Sequence, residues 1–536
     1  MGVEEHENAN WLHHPFPRFI VGLYLSDRFD QFVQKLRMSG FTVDVHNLTP
    51  VNSVARTDKQ HSRGQRGYEL HLEGKGKVVA KTLFIATGNW IHNRFPEFEH
   101  WIPSPFPPQT IQQKIKLGSN TGILGCSLSA IDTALTLSNM NGEFHSGQRN
   151  GLIFRPFQGA ESFKITMYGR KAILPQVMGV VVNKIFAHKY LTAASFIPVI
   201  KANNGFLPLN DFWYFLKKEI YDEVPHIRRH LPDDWQTLTL EEAVFKMRKY
   251  LQTTDAAKRL EQEIKEAKRS LITGIPLLLQ NVFYQSYAIF DEALNYFSAE
   301  DRIRFEEIKT ELHLLIAPFP MQNAEKIHAL ILGGFLEIKK IGNNYTIDEA
   351  AHNKGIKLTW RPEEDSTVEA YHEFMVDATG QQAAFEKDSS PLTASLRNEK
   401  LIKEVLVPFR NSQQSKKYQD HPMVVTRSGS RFFRPPGALI DINNFSLVSR
   451  AQYFDSPIYY MGPLTMGQVA FPQDLSVVTT AAERAVADLV KRGVLERDSS
   501  CVVDQDPMPM YGWLPNAKGD LTGQMEKMTN TLSAMF

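Results

Sequence analysis

The sequence predicts an α/β fold that contains two β-meanders and a helical insertion. Two separate regions alternate apolar and polar residues with turn residues between the runs, and each region ends in Ala-Thr-Gly. Between them, residues 121–137 follow the pattern of a strand, a glycine turn and a helix. From about residue 180 to residue 333 the pattern is mostly helical. Alternation of this kind is typical of antiparallel strands, so the chain combines meanders with strand–helix units.

The two alternating regions have the same sequence pattern. The first begins at Gly40 with F-T-V-D-V-H and ends in T-L-F-I-A-T-G, which closes at Gly88. The second begins at Gly334 with F-L-E-I-K-K-I and ends in F-M-V-D-A-T-G, which closes at Gly380. Both regions therefore predict a meander that delivers a strand ending at Ala-Thr-Gly.

Composition excludes several classes of protein. Of the 536 residues, 43% are hydrophobic and 22% are charged, which is ordinary for a globular chain with large cores. A net charge of +1 creates no field that would recruit nucleic acid. Two cysteines argue against a disulfide framework and a Cys-type zinc site, and no metal site is predicted. The acidic N-terminus and the lack of an apolar run of about 18 residues predict a cytoplasmic protein without a membrane span.

The sharpest local motif is T-G-I-L-G-C-S-L-S-A-I-D, at residues 121–132. Aligned with the Rossmann fingerprint G-x-G-x-x-G/A, Gly125 takes the first position, Ser127 the second and Ala130 the third. These positions serve a tight turn, close approach of the backbone to a pyrophosphate, and close helix–strand packing. The helix that follows would direct free N–H groups, that of Ser129 among them, at the phosphates. A plain strand-to-helix connection with small residues is the alternative.

The next predicted strand ends in two cations. The segment F-K-I-T-M-Y-G-R-K, at residues 163–171, places Arg170 and Lys171 where a dinucleotide fold meets the adenosine ribose. An acidic residue there selects the free 2′-hydroxyl, whereas an arginine suits a 2′-phosphate. The pair therefore predicts NADP(H) rather than NAD(H), and an exposed basic pair in a loop is the alternative.

Helix start signals mark the later part of the chain. Thr239 and Glu242 form a capping-box pattern, Ser298 resembles an N-cap, and residues 255–271 predict a charged amphipathic helix. The remaining predictions are irregular polar chain, a strand and a long helix, at residues 381–450, 458–461 and 474–491.

Taken in order, these motifs resemble the FAD/NAD(P)-binding protein family that is distantly related to flavin-containing and N-hydroxylating monooxygenases. Beside the fingerprint, the matching segments are P-R-F-I-V-G-L-Y-L at 17–25, I-A-T-G-N-W at 85–90, Y-G-R-K-A-I-L-P at 168–175, V-D-A-T-G at 376–380 and Y-M-G-P-L-T-M-G-Q-V-A-F-P-Q-D-L at 460–475. The resemblance covers almost the whole chain. It implies a discontinuous, flavoprotein-like fold with two dinucleotide-binding domains, in which a nicotinamide domain interrupts a flavin domain.

The resemblance also implies domain limits. Residues 1–110 and 378–536 would form the flavin domain. Residues 111–377 would form the nicotinamide domain, with the helical insertion at about 180–333.

Further cofactor contacts follow from the same resemblance. Four residues of the Ala-Thr-Gly segments would lie near the cofactors: Thr87, Gly88, Thr379 and Gly380. Gly462 would form a turn that lets the flavin ring approach. The last helix, beginning around Asp474, would stabilise negative charge on a reduced flavin through its dipole. A buried strand–turn–helix without a ligand is the alternative for this segment.

The N-terminal part departs from the family pattern. A flavin domain of this type opens with its own strand, G-x-G-x-x-G turn and helix, and nothing in residues 1–40 fits that unit. Three explanations stay open. The chain is truncated or wrongly started, a separate chain or an oligomer completes the FAD domain, or the protein has lost FAD and kept the scaffold.

The sequence thus predicts a flavin- and NADPH-dependent oxidoreductase, with a monooxygenase as one possible form, in which NADPH passes a hydride to the flavin. It identifies neither a substrate nor catalytic residues. Two other classes stay open: a cofactor-depleted scaffold without activity, and an NADP(H)-binding regulatory module.

Overall fold

The computed structural model describes residues 18–60, 66–88, 90–147, 151–180, 188–223, 237–253, 255–350, 354–363, 366–380, 388–449, 457–472 and 474–493. Its helices are α1 (Arg18–Met38), α2 (Pro108–Lys114), α3 (Leu128–Asn141), α4 (Ala193–Ala202), α5 (Leu209–Glu223), α6 (Leu240–Thr253), α7 (Ala256–Thr273), α8 (Leu278–Gln285), α9 (Tyr287–Leu294), α10 (Ala299–Ile316), α11 (Met321–Leu332), α12 (Pro391–Asn398), α13 (Ser412–Lys417) and α14 (Leu475–Lys491).

Its strands are β1 (Val51–Gln60), β2 (Arg66–Leu72), β3 (Gly76–Ala80), β4 (Leu83–Ile85), β5 (Trp101–Ile102), β6 (Asn120–Leu124), β7 (Gly142–Ser146), β8 (Leu152–Pro156), β9 (Lys164–Gly169), β10 (Leu336–Lys340), β11 (Tyr345–Glu349), β12 (Ile356–Glu363), β13 (Ser366–His372), β14 (Phe374–Asp377), β15 (Val407–Pro408), β16 (Val424–Arg427), β17 (Ser430–Phe433), β18 (Ile440–Asp441), β19 (Ser446–Leu447) and β20 (Ile458–Tyr460). The predicted α/β class, with β-meanders and a helical insertion, is confirmed.

A parallel sheet of five strands forms the largest core. Its order is β10-β9-β6-β14-β5, and every neighbouring pair runs parallel. The side chains of Ile123, Leu124, Ile165, Met167 and Val376 are at most 2% exposed, because helices and a meander cover the sheet. Strands buried on both faces are typical of parallel sheets. The continuous apolar runs of the sequence in this region follow from that burial.

The strand order reverses in the middle of this sheet. From β6 the chain moves outward to β9 and β10, and then returns to the other side of β6 as β14. The carboxyl ends of β6 and β14 therefore flank a topological switch point, which is where open parallel sheets bind their ligands. Strand β5 pairs with β14, so this sheet begins at Trp101, before the predicted domain limit at residue 110.

The two predicted meanders are antiparallel sheets of three strands, β1-β2-β3 and β11-β12-β13. Each leads into a short strand that ends at Ala-Thr-Gly, β4 in the first case and β14 in the second. One predicted strand is wrong: residues 41–46, F-T-V-D-V-H, have no strand structure. Their counterpart in the second region forms β10, which has β9 as a hydrogen-bonding neighbour.

A second sheet has four strands, in the order β18-β19-β20-β4. Strands β18, β19 and β20 pair antiparallel, and β20 pairs parallel with β4. The prediction of irregular chain at residues 381–450 is wrong for the described part. It contains α12, α13 and five strands, β15 to β19. These strands have two to four residues each, which is too short for an alternating pattern to be recognised.

The helical insertion is confirmed and lies in the connection between β9 and β10. Thr239 and Glu242 form the predicted capping box: Glu242 Oε2 accepts from Thr239 N at 2.8 Å, and Thr239 Oγ1 accepts from Glu242 N at 3.2 Å. Ser298 caps α10 as predicted. The insertion has its own core, built around Phe212, Phe290 and other buried rings. No described helix has the length and apolar character needed to cross a membrane.

Candidate functional site

The turn after β6 lies at the switch point and admits only a glycine at its first position. Gly125 has a φ of +128°, a region that side-chain-bearing residues rarely adopt. Its N–H donates to the carbonyl of Tyr168 at 2.7 Å. A Cβ on Gly125 would lie 2.7 Å from the carbonyl oxygen of Ala378, at the end of β14. The backbone at this position therefore carries no side chain and contacts the ends of β9 and β14.

Helix α3 starts directly after this turn. Ser127 is its N-cap residue but makes no side-chain hydrogen bond to the first turn, and that turn has no acidic residue. Ser129 is half-buried, and its carbonyl accepts from Thr133 Oγ1 at 2.7 Å. Ala130 is fully buried against the sheet, as the third fingerprint position requires. The first N–H groups of α3 thus have no side-chain cap, and the positive dipole end can take a diphosphate.

One carboxylate lies a turn further along α3. Asp132 forms an ion pair with Arg18 of α1 at 2.9 Å. Burial raises the pKa of Asp132, and the nearby Arg18 guanidinium opposes that rise. The pair connects α1 to the fingerprint helix, although an exposed arginine contributes little stability in such a pair.

The turn after β9 touches the turn after β6. A Cβ on Gly169 would lie 2.7 Å from Sγ of Cys126. Cys126 is a buried packing residue, and burial raises the pKa of its thiol to about 12. Arg170 is exposed next to this contact. The predicted ribose-binding residues therefore lie beside the predicted diphosphate turn.

Lys171, the other predicted ribose-binding residue, lies in an ion pair, and its contact with a nucleotide stays a prediction. Its ammonium is paired with the fully buried carboxylate of Glu311 in α10, through Oε1. The same glutamate oxygen also binds Arg248 of α6, at 2.6 Å.

The second Ala-Thr-Gly segment lies next to Gly125. The backbone nitrogen of Thr379 is 3.4 Å from the position that a Gly125 Cβ would take. Thr379 donates to Oδ1 of Asp377 through its N–H at 3.1 Å and its hydroxyl at 2.6 Å, and Asp377 Oδ2 accepts from Arg94 at 2.7 Å. Gly380 follows with a φ of +83°. These bonds fix the backbone at the mouth of the switch point.

The first Ala-Thr-Gly segment belongs to a different sheet. Thr87 and Gly88 are exposed after β4, and Gly88 has a φ of +69°. The N–H of Met461 donates to the carbonyl of Ile85 at 2.9 Å, which aligns the ends of β4 and β20. Gly462 follows β20 with a φ of +102° and open space where a Cβ would lie. Thr87, Gly88 and Gly462 thus share the carboxyl edge of the sheet β18-β19-β20-β4.

Asp474 lies at the start of α14, as predicted from the sequence. Its carboxylate caps the helix by accepting from Ser476 N at 2.9 Å and from Ser476 Oγ at 2.5 Å. The role of this helix end toward a flavin stays a prediction.

Sequence reasoning missed the contact between the helical insertion and the segment before α14. Oδ1 of Asp291 accepts from Ala470 N at 2.5 Å, and the His313 ring stacks on Phe471 with centroids 5.1 Å apart. Burial raises the pKa of Asp291 to about 7 and lowers that of His313 to about 4. No local pattern could indicate these contacts, because they join residues more than 150 positions apart.

Comparison with known proteins gives two family matches. Residues 4–90 match the FAD-NAD(P)-binding family, and residues 192–316 match the YdhS-like middle domain. The curated relative "Uncharacterized protein YdhS" of Escherichia coli (strain K12) is 23% identical over 386 residues. That match covers 69% of this chain and 66% of the relative, just under two thirds of its length.

Solved structures of N-hydroxylating enzymes also align with the chain. Ornithine hydroxylase from Pseudomonas aeruginosa is 11% identical, over 83% of this chain and 70% of that chain, with a TM-score of 0.35. L-lysine 6-monooxygenase from Pseudomonas syringae is 13% identical, over 89% and 82%, with a TM-score of 0.35. Ornithine N-hydroxylase from Kutzneria sp. 744 is 10% identical, over 89% and 83%, with a TM-score of 0.36. Similarity at this level carries no conclusion about activity.

The family matches confirm the resemblance that the motifs predicted. Residues 4–90 contain the first Ala-Thr-Gly strand, and residues 192–316 contain most of the helical insertion. Residues 4–90 are therefore similar to the FAD-NAD(P)-binding family, and residues 192–316 are similar to the YdhS-like middle domain.

Proposed function

We propose that the chain is a flavin- and NADPH-dependent oxidoreductase of monooxygenase type, which binds NADP(H) at the turn after β6. The proposal rests on the turn at Gly125, which lies at a topological switch point and carries no side chain. The helix that follows it has no side-chain cap at its N-terminus. When bound, NADPH would supply a hydride and the flavin would accept it.

The residues at the switch point fit a dinucleotide. Gly125 would form the tight turn, Ser127 would leave room for the diphosphate at the backbone, and the N–H groups of Ser127 and Ser129 would donate to its oxygens. Thr379 and Gly380 would line the opposite side of the crevice, because β14 ends there. Arg170 would face the adenosine ribose.

The carboxyl edge of the sheet β18-β19-β20-β4 supports the other part of the proposal, which is the binding of a flavin. Gly88 and Gly462 both have positive φ and open space around a virtual Cβ, so a flat ring can approach both backbones. The match of residues 4–90 to the FAD-NAD(P)-binding family gives independent support for a flavin. The partner that would complete the flavin domain stays a prediction.

We also propose a division into domains on the basis of sheet pairing. Strands β5, β6, β9, β10 and β14 belong to one sheet, which extends the nicotinamide domain back to Trp101. Strands β4 and β18 to β20 belong to the flavin domain. The insertion would cover the crevice from the nicotinamide side.

Thermal unfolding with and without NADPH tests the proposed site. Gly125→Asp should abolish the rise in Tm that NADPH causes, because a carboxylate would meet the diphosphate. Since this substitution also clashes with Ala378, Ser129→Asp provides a second variant that adds the charge without that clash. An acidic residue in the first helical turn is favourable for folding, so its own Tm should not fall.

The control is Asn139→Asp, which adds the same charge at an exposed position near the end of α3. It should keep the full NADPH effect. An NADPH-dependent rise in Tm that persists in Ser129→Asp contradicts the site.

The visible absorption of the purified protein separates the three classes of function. A flavin spectrum together with a Tm rise in NADPH supports the oxidoreductase. A colourless protein whose Tm still rises with NADPH is the NADP(H)-binding regulatory module. A colourless protein without any Tm change is the cofactor-depleted scaffold.

A further inference from the structure

A helix of the insertion covers the predicted adenosine end of the nucleotide site. Helix α6 passes over the turn after β9, where Gln252 Nε2 donates to the carbonyl of Lys171 at 3.2 Å. Leu251 of the same helix packs in a small apolar cluster with Ile173 and Leu314. The insertion is therefore fixed to the segment that follows Arg170.

The charges at this junction are unbalanced. Oε1 of Glu311 binds both Lys171 and Arg248, and the exposed Arg170 precedes Lys171 in the chain. Two cations, Lys171 and Arg248, thus contact one fully buried carboxylate, and a third, Arg170, is the sequence neighbour of Lys171. Arg248 and Lys171 keep 25% and 35% of their side chains exposed, so an anion from solvent can reach them.

Two polar atoms at this junction also lack a hydrogen-bond partner. Nε of Arg248 and Oε2 of Glu311 are buried and have no hydrogen-bond partner among the residues that the structure describes. A buried guanidinium N–H without an acceptor is unfavourable, and such groups commonly bind an anion or an ordered water. The ion pair with Glu311 meanwhile fixes the position of the Arg248 guanidinium.

The position of these groups relative to the fingerprint indicates the anion. The turn after β9 contacts Cys126 in the turn after β6, so a nucleotide whose diphosphate lies at Gly125 would bring its adenosine ribose to residues 170 and 171. A 2′-phosphate on that ribose carries the charge that the cluster lacks. Planar guanidinium groups suit phosphate because they donate two parallel hydrogen bonds.

We propose that Arg248, supplied by the helical insertion, is a specificity-determining residue that binds the 2′-phosphate of NADP(H) together with Arg170. Lys171 is a positioning residue, which holds Glu311 and through it Arg248. The inference rests on the proposed nucleotide site. It gives the insertion a direct role in choosing between NADPH and NADH.

Binding of NADPH, NADH and 2′,5′-ADP to the full chain, measured by titration calorimetry, tests the inference. Arg248→Gln should weaken NADPH and 2′,5′-ADP about tenfold or more and leave NADH within about twofold, because only the former two carry the 2′-phosphate. Arg248→Lys should lose part of the affinity, since it keeps the charge but not the guanidinium fork.

Lys246→Gln is the matched control, because it removes one positive charge from an exposed position of the same helix. It should leave the NADPH-to-NADH ratio unchanged. The Tm of each variant shows whether the fold is kept.

The outcomes separate this inference from the proposed function. Equal losses for NADPH and NADH in Arg248→Gln, or no loss for NADPH, overturn the role of Arg248 while the nucleotide site stands. A wild-type chain that binds none of the three ligands overturns the nucleotide site and this inference together.

Discussion

Two regions of the chain share one order of elements but differ in whether the segment before the meander forms a strand. In each, a glycine with positive φ lies two residues after the end of a helix, a short segment and a meander follow, and a strand ends at Ala-Thr-Gly. The glycines are Gly40 after α1, with a φ of +88°, and Gly334 after α11, with a φ of +76°. After Gly334 the chain forms β10, whereas residues 41–46 after Gly40 form no strand.

Burial differs in the same way. Helix α11 packs on the parallel sheet, and Ala324, Ile327 and Leu330 are completely buried. Among the described side chains of α1 only Val33 is buried, and Phe32 is 62% exposed. The comparison shows that residues 41–46, which have no strand partner among the described residues, form no strand, whereas α1 forms a helix with little burial.

The largest expected effect tests the packed region. Ile327→Ala should lower the free energy of unfolding by about 2–5 kcal/mol, because it removes buried methyl groups and leaves a cavity beneath α11. Urea unfolding followed by circular dichroism measures the change. A loss below about 1 kcal/mol would mean that α11 is no better packed than α1.

The meanders provide a second test, through pH. His372 at the end of the second meander is buried and hydrogen-bonds to Tyr168 at 2.8 Å and to Asn120 at 2.9 Å. Burial lowers its pKa to about 4 from the ordinary 6.5. Because the unfolded chain takes up a proton that the folded chain refuses, stability should fall as the pH drops from about 6.5 to 4, by up to about 1.4 kcal/mol per pH unit.

His372→Gln should remove this part of the pH dependence, measured by urea unfolding at several pH values. The control is His71→Gln in the first meander, where the side chain is 42% exposed. An unchanged pH profile in His372→Gln would show that other groups produce the acid sensitivity.

The smallest expected effect concerns α1. Phe32→Ala should change the free energy of unfolding by less than about 0.5 kcal/mol, because the ring is mostly in solvent already. The same urea titration measures it. A loss close to that of Ile327→Ala would reveal that α1 packs against something, and the contrast between the two regions would disappear.

Much of the backbone geometry at the proposed nucleotide site could be predicted because its requirements are local. Gly125, Ser127 and Ala130 take the places that the fingerprint spacing assigns to them, and Arg170 lies beside that turn. The ion pair of Lys171 could not be predicted, since its partner Glu311 is 140 residues away in the sequence.

By itself, the sequence determined the meanders, the helix caps and the glycines of positive φ, because each depends on neighbouring residues and backbone sterics. The tertiary structure alone decided that residues 41–46 form no strand, that Lys171 is paired, and that Arg248 of the insertion reaches the turn after β9. Those outcomes depend on hydrogen-bonding neighbours and charges supplied by distant parts of the chain, which no local pattern records.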